Sequence, residues 1–122
     1  MNYIGNAFSL QMVQNDSNIS VSGIDVNTVK SEIVSDLGKA VFCIGHADTA
    51  RIAAKSLNKA ICIGFDSQVE FTEEQMFKRV NISLQKGDVL YVLQVVGGRL
   101  PEGCTELPEG IQLQWRKVVV TD

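Results

Sequence analysis

The sequence predicts a single α/β domain in which helices flank a mixed β-sheet. Short apolar runs with strand spacing, at 40–44 and 89–96, alternate with segments that carry helical spacing, such as 47–57. The chain has 122 residues, of which 45% are hydrophobic and 20% charged, as is typical of a globular domain with one core. We therefore predict one domain over residues 1–122, with no internal repeat and no linker.

The strand predictions follow from apolar runs and from alternation of apolar and polar residues. They cover residues 2–10, 19–24, 40–44, 79–84, 89–96 and 111–120, with a short strand or buried run at 60–64. The segment 89–96 is nearly all apolar, as expected of a central strand that is covered on both faces. Gln94 interrupts it, and a polar side chain at such a position needs a partner or a ligand.

Two helices are predicted between these strands. The first begins after Asp25 or Asn27 as the N-cap and ends at Gly38. The second follows Gly45 and has Asp48 and Thr49 in its first turn. The polar segment 66–78 is predicted to be a loop with one helical turn.

Charge and cysteine content exclude several classes of protein. The formal net charge of −3 disfavours binding to long DNA or RNA, which usually requires a basic surface. No apolar run approaches the roughly 20 residues of a membrane span, and we expect no signal peptide. Cys43, Cys62 and Cys104 form no CxxC pair and the chain has one histidine, so we expect reduced cysteines and neither a metal nor another cofactor. These observations predict a cytoplasmic protein.

His46 lies where the predicted strand 40–44 gives way to the second helix. The N–H groups of a helix start have no intrahelical partner, and the helix dipole favours an anion there. An imidazole beside such a phosphate seat suits acid–base chemistry on a phosphodiester. The alternative is a histidine that only occupies a helix entry.

Further polar candidates lie mostly at strand ends or in the loops that follow strands, where α/β folds place their sites. They are Asn6, Ser9, Thr49, Arg79, Gln94, Arg99 and Glu102. Each has a purely structural alternative: Ser9 as a turn residue, Arg79 as the start of an edge strand, and Arg99 with Glu102 as a surface ion pair worth about 0–1 kcal/mol. The chain has no GxxxxGK[ST] and no GxGxxG phosphate-binding motif.

Four short motifs are nevertheless informative as a set: Asn6-Ala7-Phe8-Ser9, Ile44-Gly45-His46 followed by Thr49, Lys78-Arg79-Val80, and Arg99-Leu100-Pro101-Glu102-Gly103. They occur in the same order and contexts as in the viral ring nucleases, small anti-CRISPR proteins that act against type III systems. No single motif is specific, but the ordered set resembles this family over nearly the whole chain.

The resemblance implies a homodimer that holds cyclic tetra-adenylate in a pocket across the dimer interface and cleaves it without metal. It implies His46 as the general acid with Arg99 and Glu102 as its active-site neighbours. By the same resemblance, the ligand-binding residues are Asn6, Ser9, Thr49, Arg79 and Gln94. A ribose 2′-hydroxyl would attack the adjacent phosphorus, giving linear products with a 2′,3′-cyclic phosphate.

Two other functions remain open: a protein of the same fold that sequesters the cyclic nucleotide, and an interaction protein with a vestigial pocket. The sequence also departs from the family pattern. Asp48 stands where a small hydroxyl residue is expected, either adding negative charge near the ligand or capping the helix. Gly97-Gly98 lengthens the loop before Arg99, and 66–78 looks like an insertion that could reshape or cover the pocket.

Overall fold

A five-stranded mixed sheet forms the centre of the chain in a computed structural model that describes residues 1–36 and 39–121. The strands are β1 (Asn2–Gly5), β2 (Asn18–Ile24), β3 (Ala40–Cys43), β4 (Val89–Val96) and β5 (Gln112–Thr121), and the helices are α1 (Val26–Ser35), α2 (Ala47–Lys59) and α3 (Glu73–Met76). The strand order is β2-β5-β4-β1-β3. β1 pairs in parallel with β3 and β4, whereas β5 is antiparallel to β4 and β2. The predicted α/β fold with a mixed sheet is confirmed.

β4 is the central strand, with the bounds that its apolar run predicts. Tyr91 and Leu93 point to the face that carries the helices, and Leu90 points to the opposite face. All three side chains are at most 1% exposed. A continuous apolar sequence is required here because both faces of the sheet are covered along most of this strand.

The helix-covered face holds the larger core. The apolar sides of α1 and α2 contribute Val29, Ile33 and Leu57, each fully buried. Asp25 begins α1 as its N-cap, since its Oδ1 accepts the N–H of Thr28 at 3.0 Å. The hydrogen bonds from Thr28 hold the pKa of Asp25 below its usual value, so this cap is lost as the pH falls. The predicted helix end at Gly38 lies outside the described residues.

The opposite face of the sheet is covered over only part of its area. A short 3-10 helix, Leu10–Met12, and the segment around Leu84 lie across it, joined by a hydrogen bond of 2.6 Å from the N–H of Leu84 to the carbonyl of Met12. Beyond this cover, towards the carboxyl end of β4, Gln94 and Arg116 are exposed. We refer to this side of the sheet as the open face.

Three strand predictions need correction. β1 ends at Gly5 and not at Leu10, because Ser9 caps the 3-10 helix that follows. Residues 79–84 form no strand; they cross the open face, where Leu84 is buried but Val80 is 54% exposed. Residues 60–64 form no strand, and only Ala60 of this segment is buried. The N–H groups of Ile61 and Ile63 donate to side chains of α1, which leaves the side chains of both isoleucines exposed.

The segment 66–78 contains one helical turn, α3, as predicted. Phe71 and Met76 from this segment are buried in the core beneath α2. The side chain of Asn58 holds the backbone of Phe71 through both its N–H and its carbonyl, at 2.7 and 2.8 Å. The segment is therefore part of the helix-side core and does not cover the open face.

Within the described part of the chain, no helix is long and apolar enough to cross a membrane.

The packing of β4 predicts that two leucines contribute very differently to the stability of the fold. Replacing Leu93, which is 1% exposed, by alanine should lower the free energy of unfolding by about 2–5 kcal/mol, because it leaves a cavity in the core. The same change at Leu10, which is 76% exposed, should alter it by less than about 0.5 kcal/mol. Urea unfolding of both variants beside the wild type measures this, and equal losses would contradict the assignment of the core.

Candidate functional site

The carboxyl ends of β1 and β3 meet at the peptide of Gly45. The side-chain Oδ1 of Asn6 accepts the N–H of Gly45 at 3.2 Å. The Nε of Arg79 donates to the carbonyl of Gly45, also at 3.2 Å. Two residues that the sequence predicts for ligand binding thus hold the turn that leads directly into His46.

Arg79 reaches this position because the chain after α3 pairs briefly with the end of β3. Ile44 donates its N–H to the carbonyl of Met76 at 3.1 Å and accepts the N–H of Lys78 at 3.0 Å. The guanidinium of Arg79 also lies 5.6 Å from the ring centroid of Phe77, a cation–π contact. The segment that looks like an insertion therefore delivers Lys78 and Arg79 to the site.

Two adjoining cavities open on this side of the sheet, with volumes of about 300 and 410 Å³. Both are lined by Asn6 and Ala7, and we call them together the β1 cleft. The first also includes Gly45, Lys78 and Arg79, and the second includes Phe8, Val92, Gln94 and Arg116. Three cationic side chains line the β1 cleft. No carboxylate among the described residues lines it. The cleft is locally basic although the chain carries a net charge of −3, so it suits an anionic ligand.

His46 is the N-cap of α2, as the sequence predicts, and its side chain is exposed. The imidazole makes no capping hydrogen bond, whereas its backbone carbonyl accepts the N–H of Ala50 at 2.9 Å. His46 itself lines neither cavity; it directly follows Gly45, which lines the first. Thr49 is buried in the same turn and lines neither cavity.

Arg99 and Glu102 lie on the loop that joins β4 to β5, and both are exposed. They form no ion pair with one another, so the structural alternative offered for these two described residues does not apply. The loop closes at Gly97, which has a φ of +98° and where a Cβ would lie 2.4 Å from the carbonyl oxygen of Gly110. Glycine is therefore required at position 97 for the loop to fold back.

The carboxylate of Asp48 brings this loop to the first turn of α2. Its Oδ1 and Oδ2 lie 3.2 and 3.3 Å from the backbone N of Gly103, the residue directly after Glu102. Asp48 itself is two residues after His46. The predicted catalytic residues His46 and Glu102 are therefore carried by segments that are hydrogen-bonded to each other.

The remaining two predicted ligand residues have different environments. Gln94 is exposed at the carboxyl end of β4 and lines the β1 cleft, so an apolar strand is interrupted where the cover of the open face ends. The hydroxyl of Ser9 accepts the N–H of Gln11 at 3.3 Å and caps the 3-10 helix, and Ser9 lines neither cavity.

Sequence reasoning missed Arg116. It lies on β5 opposite Val92, and Gln114 on the same strand lies opposite Gln94. The signal was present in the sequence: Gln112, Gln114 and Arg116 alternate with apolar residues, which puts three polar side chains on one face of a strand. Pairing this stripe with Gln94 would have indicated the polar end of the open face.

The fold and this arrangement can be compared with known proteins. The family model described as STIV B116-like matches residues 2–113. The chain belongs to the STIV B116-like family. Among solved structures, this B116-like chain is similar to B116 of Sulfolobus turreted icosahedral virus, with a TM-score of 0.67 and 20% identity over 97% of each chain. At that identity the similarity establishes the shared fold, and no curated protein matches the sequence.

Among residues 1–36 and 39–121, no group of three or more His, Cys, Asp and Glu side chains is placed to hold an ion. Cys43 lies in the wall of the β1 cleft, but its thiol donates to the carbonyl of Ile4 at 3.3 Å. Burial raises the pKa of Cys43 to about 11, so the thiol is protonated at neutral pH.

This environment predicts that Cys43 reacts slowly with alkylating agents. Iodoacetamide attacks thiolates, so labelling of Cys43 in the folded chain at pH 7.5 should be far slower than in the urea-unfolded chain, and should rise steadily towards pH 11. Peptide mapping by mass spectrometry after timed labelling measures the rate. Labelling of the folded chain at the unfolded rate would show that the thiol is not buried in this way.

Proposed function

We propose that this B116-like protein is a metal-independent ring nuclease that cleaves a cyclic oligoadenylate, with cyclic tetra-adenylate as the first candidate. The observation that carries the proposal is the position of His46. His46 begins α2 directly after Gly45, which lines the basic β1 cleft, and the Glu102 loop is hydrogen-bonded to the same turn. The ordered motifs shared with the viral ring nucleases support the same assignment.

The residues match what such a cleavage requires. The substrate's own 2′-hydroxyl oxygen forms a bond to the adjacent phosphorus, and the bond from phosphorus to the 5′-oxygen breaks. His46 donates a proton to the leaving 5′-oxygen, and the exposed carboxylate of Glu102 accepts the proton of the 2′-hydroxyl. Arg99 stabilises the negative charge that develops on the phosphorane oxygens. The product ends in a 2′,3′-cyclic phosphate and a free 5′-hydroxyl.

The charge of the cleft favours an oligonucleotide with several phosphates. Lys78, Arg79 and Arg116 line the two cavities without a described carboxylate among them. Asn6 and Gln94 add amide groups, which can donate to and accept from base edges. We assign Asn6, Arg79, Gln94 and Arg116 to ligand binding on the basis of this arrangement.

A second copy of the chain completes the site in this proposal. Each cavity has the volume of a site for one small molecule, whereas a ring of four nucleotides needs more space. Val21 and Val80, which line the cleft on either side, are 53% and 54% exposed. A homodimer formed through the open face would bury these apolar side chains and enclose the ring between two clefts. Such an activity would act in the cytoplasm of a host cell, where it would suppress type III CRISPR defence.

Incubation with cyclic tetra-adenylate in EDTA tests the activity directly. We expect the wild type to release linear di-adenylate with a 2′,3′-cyclic phosphate, identified by mass spectrometry. His46→Ala should lower the rate by about 10²–10⁴-fold, the usual contribution of a general acid, and should still bind the ring. Replacement of Glu74, an exposed carboxylate on α3, by Gln is the control and should leave the rate unchanged.

The other outcomes of this experiment distinguish the alternatives. An intact ring together with a raised melting temperature would favour a sequestering protein, because a ligand that binds only the folded state stabilises it. An intact ring and no thermal shift would leave only an interaction protein. A His46→Ala variant as active as the wild type would overturn the proposed role of His46.

Arg116 gives a second test, which concerns binding. Because a hydrogen bond to a charged group contributes about 1.5–3 kcal/mol, Arg116→Gln should weaken binding of cyclic tetra-adenylate by about 10- to 100-fold. Lys59→Gln makes the same charge change on α2, away from the cleft, and should leave the affinity unchanged. Calorimetry is carried out in the His46→Ala background, which slows turnover, and equal affinities for both double variants would remove Arg116 from the site.

A further inference from the structure

A cluster of charged side chains connects the first turns of α2, just after His46, with α3 and with the loop between β4 and β5. The Nη1 of Arg51 donates to the Oδ1 of Asp48 at 3.0 Å, and its Nε donates to the Oε1 of Glu73 at 2.7 Å. The same Nη1 lies 2.7 Å from the carbonyl oxygen of Cys104. Arg51 on α2 thereby contacts α3 and the loop between β4 and β5.

Asp48 supplies the other half of the link to this loop. Its carboxylate accepts the N–H of Gly103 as well as an N–H of the Arg51 guanidinium, so the N–H of Gly103 and the carbonyl of Cys104 each meet a charged group from α2. Lys55, one turn further along α2, donates to the carbonyl of Thr105. Three successive loop residues, 103 to 105, are therefore bound to one helix, directly after Glu102.

Two carboxylates of the cluster share the one guanidinium of Arg51. Asp48 is 9% exposed, and an isolated carboxylate at that depth would be costly without a cation. The hydrogen bonds from Arg51 to Glu73 and Asp48 raise the pKa of its guanidinium further, so the cation is permanent. The carboxylate of Asp48 is thus directed to the loop and to Arg51, a cation that it shares with Glu73.

We infer that Asp48 and Arg51 are positioning residues that hold the loop carrying Arg99 and Glu102 against the first turn of α2 for cleavage. This inference rests on the proposed ring-nuclease function. Neither residue contacts the substrate; they fix the distance between the segment of His46 and the segment of Glu102. Misplacement of a reacting group by about 1 Å can lower the rate by about 10²-fold, so these contacts determine the rate of cleavage and not the affinity for the substrate.

Two readouts together test the inference. Amide hydrogen exchange by NMR in the absence of ligand should show faster exchange at Gly103 in Asp48→Ala, with the amide of Tyr91 in β4 unchanged as a report on global stability. Steady-state cleavage of cyclic tetra-adenylate should show kcat lowered by about 10- to 100-fold with KM near the wild-type value. Glu74→Ala, which changes an exposed carboxylate on α3, is the control for both.

Conservative variants guard against a simple loss of fold. Asp48→Asn keeps an oxygen that can accept the N–H of Gly103, so it should recover part of the kcat lost in Asp48→Ala. Arg51→Lys keeps the positive charge but cannot bond to Glu73, Asp48 and Cys104 at once, so it should lower kcat as well. A folded Arg51→Lys variant keeps the test decisive if Asp48→Ala fails to fold.

The results that would contradict the inference can be told apart from one another. Unchanged exchange at Gly103, or unchanged kcat in a variant whose loop is released, would overturn the inference. Faster exchange at both Gly103 and Tyr91 would also overturn it, since it would show a role in stability alone. If the wild type does not cleave the ring, the proposed function fails and the catalytic part of this inference with it, while exchange at Gly103 still decides whether the loop is held.

Discussion

Parallel pairing of β1 with both β3 and β4 is the constraint on which the site depends. Asn2 lies opposite Ala40 on one side and opposite Val89 on the other, so the three strands start level and run in the same direction. Their carboxyl ends consequently meet at one edge of the sheet. Asn6, His46 and Gln94 are far apart in the sequence, and this pairing alone brings the ends of their strands together.

The same pairing explains what the sequence could predict. The bounds of β4 and the helix start at His46 were predictable because each depends on local information: an apolar run of strand length, and a glycine before a helical pattern. The segment 79–84 has the alternation of a strand, but only Ile82 and Leu84 pack on the open face, while Val80 is exposed. Alternation of apolar and polar residues indicates that one side of a segment is buried, but it does not show whether the backbone pairs with a neighbouring strand. The segment was therefore mispredicted as a strand.

The site residues also differ in how far the sequence alone could predict them. Gln94 could be recognised from the sequence because a polar residue breaks an apolar strand, whereas Arg116 could not be placed beside it without the antiparallel register of β4 and β5. The net charge of the chain likewise does not predict the local charge of the cleft. The net charge of −3 argues against long nucleic acids, yet Lys78, Arg79 and Arg116 converge on one cleft. Composition averages over the surface, while binding depends on the potential at one place.

Asp48 shows most clearly why a residue cannot be judged from its position in a motif. Two residues after the histidine, an acidic side chain suggests repulsion of an anionic ligand or a helix cap. The cap position belongs to His46, and the carboxylate binds Arg51 and the N–H of Gly103 instead. The carboxylate is thus paired with a cation on the next turn of the same helix, and this ion pair anchors a loop from the other end of the chain. An acidic residue beside an anion site is therefore compatible with anion binding when its own hydrogen bonds are already used to build that site.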